Sequence, residues 1–71
     1  MDILIFKTDI ANRWHLHMVR DLFNNLEGIA KWNVDVEDVD HVLRIESNDL
    51  PAGMIEQAVK GAGYYCEEMK D

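Results

Sequence analysis

The first run of hydrophobic positions is Ile3 to Phe6, an unbroken set of strand formers closed by Lys7, Thr8 and Asp9. It predicts a strand covered in part on both faces, and therefore central in its sheet. Asp9 to Arg13 is polar enough for a loop, with Asp9 or Asn12 placed to cap the backbone N–H groups that follow. From Trp14 to Leu26 the apolar residues Val19, Leu22, Phe23 and Leu26 recur at helical spacing, with Arg20, Asp21, Asn24 and Asn25 opposite. Gly28 is expected to end that helix, because glycine alone adopts positive φ without penalty.

The period then changes from helical to alternating. Ile29 to Glu37 sets Trp32, Val34 and Val36 on one face and Lys31, Asn33 and Asp35 on the other, the signature of a half-buried strand. An acidic turn at Asp38 to Asp40 leads into a third strand, His41 to Glu46, with Leu43 and Ile45 inward. Leu50-Pro51 opens a second helix, since a proline in the first turn has no N–H bond to lose. Ile55, Ala58, Val59 and Ala62 are expected on its buried face, Gly61 and Gly63 at its end, and Tyr64 to Met69 as a last strand. The order is βαββαβ. It predicts an α+β, ferredoxin-like sandwich in which a four-stranded antiparallel sheet carries two helices on one face, with residues 1–71 as a single domain.

Composition narrows the function classes. A chain of 71 residues, 48% hydrophobic and 30% charged, has a normal globular balance, and a domain this small buries about 60% of its unfolded surface. The formal charge of -7 argues against a nucleic-acid partner, because phosphate binding draws its energy from lysine and arginine. Lys7, Arg13 and Arg20 cluster near the opening stretch, while acids crowd Asp35 to Asp40 and the C-terminus. The single cysteine, Cys66, makes no internal disulfide, so the chain reads as a protein of a reducing compartment, and Cys66 as a small buried hydrophobe. The N-terminus lacks the pattern of a signal peptide and no stretch is long and apolar enough to insert in a membrane. A cytoplasmic location is the expectation.

With these elements in place, the chain resembles the heavy-metal-associated domain family of copper chaperones and metal-pump modules, over nearly all its length. Gly28-Ile29 matches the family's Gly-Val pair at strand two, Val19 its apolar helix residue, and Gly63-Tyr64 its Gly-Tyr pair at strand four. The family carries a metal loop with two cysteines in a CxxC pattern between strand one and helix one. Carried over by that spacing, the resemblance puts its first ligand position at Asn12, its second at His15, and its loop methionine at Ile10. It also implies that Tyr64 lies beside the metal loop, where family members place a residue that covers the ligand. This chain is then a member in which the CxxC pair is degenerate.

That departure decides the chemistry. Paired thiolates suit a soft ion such as Cu(I), whereas an asparagine oxygen and one imidazole do not. His17 stands roughly 200° from His15 on a helix, so the two do not chelate one ion there. Met18, at i+3 from His15, faces it and offers a thioether. One reading is therefore a transition-metal module, for zinc or copper, centred on His15 with Asn12, Met18 or His17. The other keeps the fold without a metal, as a module that binds another protein or a second copy of itself, through the apolar alternation of Ile3 and Ile5 with Leu4 and Phe6 and through Trp14. His15 then simply packs or hydrogen-bonds at the helix start. No catalytic residues are expected: the sequence holds no nucleophile at recognisable spacing, no phosphate loop and no HExxH pattern.

Overall fold

The computed structural model describes residues 2–69. Its elements are β1 (Asp2–Thr8), α1 (Arg13–Asn24), β2 (Ile29–Val34), β3 (Leu43–Ser47), α2 (Ala52–Gly61) and β4 (Cys66–Glu68). The sheet order is β2-β3-β1-β4 with every neighbouring pair antiparallel, so β1 is central as its two-sided apolar run requires. This is the ferredoxin-like sandwich.

The core follows from alternation along β1 and β3. Phe6 faces the helices and is fully buried, as are Leu43 and Ile45, while Ile3 and Lys7 point to the open face. Val19 and Phe23 come down from α1, Ile55 and Val59 from α2, and Cys66 and Ile10 close the ends. Each large side chain buried in this way contributes about 1.5–3 kcal/mol relative to exposure. Trp32 packs at a tilt on Phe23, ring centroids 5.0 Å apart, and so fastens β2 to α1. The open face is mixed: Ile3, exposed to 52%, and Ile5 stand opposite Glu46 and Arg44 of β3, and Lys7 opposite Glu67 of β4.

Several element ends differ from the sequence expectation, each for a local reason. Helix α1 stops at Asn24 with Asn25 as its cap, so Gly28 does not end it. Gly28 instead takes φ +95 at the entry to β2, where its missing Cβ leaves room for Leu50. A register shift between Ile29 and Lys31 bulges β2, which turns Ile29 to the same side as Trp32 against strict alternation. Strand β2 ends at Val34 because Asp35 starts the turn: its carboxylate accepts the N–H groups of Glu37 and Asp38, at 3.2 and 3.3 Å. Pro51 is the cap of α2 rather than its first residue.

The end of α2 determines where β4 begins. Gly63 has φ +97; its N–H bonds the Lys60 carbonyl at 3.0 Å and that of Tyr64 bonds the Val59 carbonyl at 3.2 Å. This is a Schellman closure. It occupies the backbone of Tyr64, and the last strand starts only at Cys66. Ala62, expected on the buried face, is the exposed C-cap.

Candidate functional site

The corner between β1 and α1 is built from four short contacts. Thr8, buried at the end of β1, donates its hydroxyl to the His41 carbonyl at 2.6 Å and accepts the Ile10 N–H at 3.2 Å. The Thr8 N–H itself bonds the Asp40 carbonyl at 3.1 Å. Ile10 is thereby drawn into the core and has no exposed surface. Asp9 reaches across to accept the Tyr65 N–H at 2.8 Å, which ties the corner to the residue just before β4.

Asn12 then starts the helix. Its backbone is extended, φ -153 and ψ 175, and its side-chain oxygen accepts the His15 N–H at 2.9 Å, the bond expected of an N-cap. His15 answers in the other direction: its Nδ1 accepts the Ala11 N–H at 3.1 Å. One orphan donor of the helix start, the His15 N–H, and the Ala11 N–H just before the cap are thus satisfied by the two side chains at the expected ligand positions. A neutral imidazole that accepts at Nδ1 carries its proton on Nε2. Binding a metal through either nitrogen would therefore sacrifice the Ala11 bond, because a proton moved to Nδ1 would face a donor.

The remaining candidates are dispersed. Tyr64 stands edge-on to His15, ring centroids 5.2 Å apart and planes inclined at 63°. Met18 is exposed to 52%, and His17 lies on another flank of α1, in a hollow with Arg13, Leu16, Arg20, Trp32 and Asn33. Among the described residues no three histidine, cysteine, aspartate or glutamate side chains gather as metal ligands. Cys66 is fully buried, and burial, followed by the charge of Glu56, pushes its thiol up to about 12. It is neither a nucleophile nor an available thiolate. On the open face Tyr65 donates its phenol to Glu67, and that bond above all raises its pKa.

His41 also departs from expectation. Expected to open the third strand, it lies before β3 (Leu43–Ser47), half-buried with φ 44 and held there by Thr8 at its carbonyl. The hollow of Arg13, Arg20 and Trp32 escaped the sequence reading. Its signal was present in part, as the i, i+4, i+7 spacing of Arg13, His17 and Arg20, but which strand lies beside that stripe is set by topology.

Neither a family model nor a curated protein matches this sequence. Solved structures do match, and they define the class as the fold of heavy-metal-associated domains. The HMA domain of the copper chaperone for superoxide dismutase, in its apo form, superposes with TM-score 0.80 at 18% identity, over 96% of this chain and 66% of that one. Oxidised MerP from Ralstonia metallidurans CH34 gives 0.82 at 15% identity, over 97% of each chain. A chain of the Atx1-Cu(I)-Ccc2a complex gives 0.80 at 17% identity, over 97% of this chain and 96% of that one. At these identities the likeness is one of fold. No helix among the described residues is long and apolar enough to cross a membrane.

Proposed function

We propose that this chain is a non-enzymatic protein-interaction module on the metal-chaperone fold, whose strand-to-helix corner serves as a contact surface in place of a metal loop. The observation that carries this reading is the reciprocal capping of Asn12 and His15. Both side chains at the expected ligand positions are spent on the backbone of the helix start. The donor set also fits no metal of the fold's kind: there is no thiolate pair, the Asn12 oxygen is engaged, and one imidazole with one thioether falls short of the four ligands of a structural zinc site.

Trp14 supports the contact role. It is exposed to 69% at the first turn of α1, with Met18 one turn on, and a bare aromatic beside a bare thioether is the composition of protein-contact surfaces. The fold neighbour in the Atx1-Cu(I)-Ccc2a complex is bound to another protein, which is a precedent for the fold and adds support by likeness. The partner is another protein or a second copy of the chain. The same corner has one competing use, favoured by the half-exposed His15 with Met18 nearby: a transition-metal site at Nε2 and sulfur.

Calorimetric titration of tag-free protein with Zn(II), Cu(II) and Cu(I), repeated with His15→Ala, tests the choice. No stoichiometric binding is expected. A one-to-one isotherm that His15→Ala abolishes would overturn the metal-free reading in favour of the metal site. Sedimentation velocity of the native chain and of Trp14→Asp then addresses the second-copy partner, since self-association through the corner would be lost in the variant.

A further inference from the structure

A second surface lies on the other flank of α1 from His15, running from Arg13 beside the corner along the helix. The hollow between α1 and the edge strand β2 has a volume of about 400 Å³ and an apolar floor of Leu16 and Trp32, with Arg13 and Arg20 along its helical rim. A smaller hollow adjoins it at Trp32 and Asn33 on the open sheet face, lined by Lys31 and Arg44 with one carboxylate, Glu46. Four of the chain's seven lysine and arginine residues thus surround one edge strand, in a protein of net charge -7.

Folding does not account for this gathering. The one salt bridge among the described residues joins Lys7 to Asp40, at 3.5 Å, so neither Arg13 nor Arg20 is paired with a carboxylate. Arg13 occupies the first turn of α1, which has no acidic residue, and a cation there opposes the helix dipole. Lysines on an edge strand are a common guard against strand pairing. That role covers Lys31 but not two arginines on a helix above an apolar floor. A second copy pairing along β2 would bring cations against cations, which disfavours this edge as a self-contact.

We propose that the α1/β2 groove is a docking surface for an acidic segment of a partner protein that carries one bulky apolar side chain. The apolar side chain lies on Leu16 and Trp32, and its acidic neighbours meet Arg13 and Arg20 on one side and Lys31 and Arg44 on the other. Tryptophan and arginine are the residue types that dominate binding energy at such contacts. Opposite charge on the partner speeds its encounter and fixes its register. The surface does not use the His15 side chain and would stand whether or not His15 binds a metal.

The test is an NMR titration of the isotope-labelled chain with an eight-residue peptide of aspartate and glutamate around a central phenylalanine. A lysine counterpart and a single-stranded oligothymidylate serve as controls. Amide shifts confined to Arg13–Arg20, Ile29–Val34 and the stretch of β3 around Arg44 are expected with the acidic peptide alone. The Arg13→Glu, Arg20→Glu double variant should weaken the affinity by about tenfold or more. Should that variant fail to fold, Arg13→Gln with Arg20→Gln takes its place. No shifts at millimolar peptide, shifts elsewhere, equal binding of the basic peptide, or unaltered binding in the variant would each overturn the proposal. Tighter binding of the oligothymidylate would overturn it too, in favour of a nucleic-acid surface.

Discussion

The imidazole of His15 is edge-on to the phenol ring of Tyr64, 5.2 Å between centroids, while its Nδ1 takes the Ala11 N–H. Tyr64 owes its position to the Schellman closure of α2, so the two helices meet through this pair at the corner. An edge-to-face pair of this kind contributes roughly 0.5–1.5 kcal/mol beyond its buried area. The corner is therefore part of the packed structure.

Asn12 is the other half of the reciprocal cap at the start of α1. Asn12→Ala should cost about 1 kcal/mol by removing the acceptor of the His15 N–H, while Asn12→Asp retains the cap and stability. Urea midpoints of the three proteins measure this. Equal stability of Asn12→Ala and the native chain would show that the cap bond contributes nothing.

Gly28 and Gly63 share a left-handed backbone but differ in surroundings. A Cβ at Gly28 would sit 3.1 Å from Leu50 Cγ, whereas none of the surrounding atoms lies within 4 Å of one at Gly63. Gly63→Ala should cost about 1–2 kcal/mol from backbone strain alone. Gly28→Ala should cost more, roughly 2–4 kcal/mol, because Leu50 must also move. Thermal unfolding of the two variants gives the order, and the reverse order would refute the crowding argument.

Ser47 is buried in β3 with no hydrogen-bond partner for its hydroxyl among the described residues. Ser47→Ala should be neutral or stabilise by up to about 1 kcal/mol, since a desolvated polar group is removed with little loss of volume. A clear loss of stability in denaturant melts would mean that the hydroxyl is in fact satisfied.

Cys66 supplies the pH dependence. Its thiol is raised from 9.0 to about 12, chiefly by burial, so below pH 9.0 both folded and unfolded chains hold the proton and its contribution is complete. As pH rises from 9.0 toward about 12 the unfolded chain ionises first, and stability falls across that window. Urea melts at about pH 8 and about pH 11 should show this fall in the native chain and less of it in Cys66→Ala. Native protein at about pH 8 should also resist thiol alkylation until unfolded, and prompt labelling would contradict the burial argument.

The fold was legible because each element carried its own period. Phe6, Leu43 and Ile45 alternate inward, Val19 and Phe23 return after one helical turn, and all five are buried. Element ends were less legible because side chains compete for them. Asp35 ended β2 with its own carboxylate, and the backbone of Tyr64 was claimed by α2 before β4 could use it. At the corner the sequence placed Asn12, His15 and Tyr64, but an amide that caps and one that ligates are the same residue type. The direction of the Asn12 and His15 bonds emerges only from three-dimensional placement. The arginine groove was hidden for a different reason: Arg20 and Trp32 become neighbours only once β2 packs beside α1.

Thr8 has a wider effect than its size suggests. One hydroxyl joins the corner at Ile10 to the chain at His41, and the backbone of the same residue holds Asp40. Neither segment can open without releasing the other and the end of the central strand. The corner and the acidic turn are therefore tied to each other and to the central strand, and hydrogen exchange is expected to show the Thr8 and Ile10 amides protected with the sheet rather than as a surface loop.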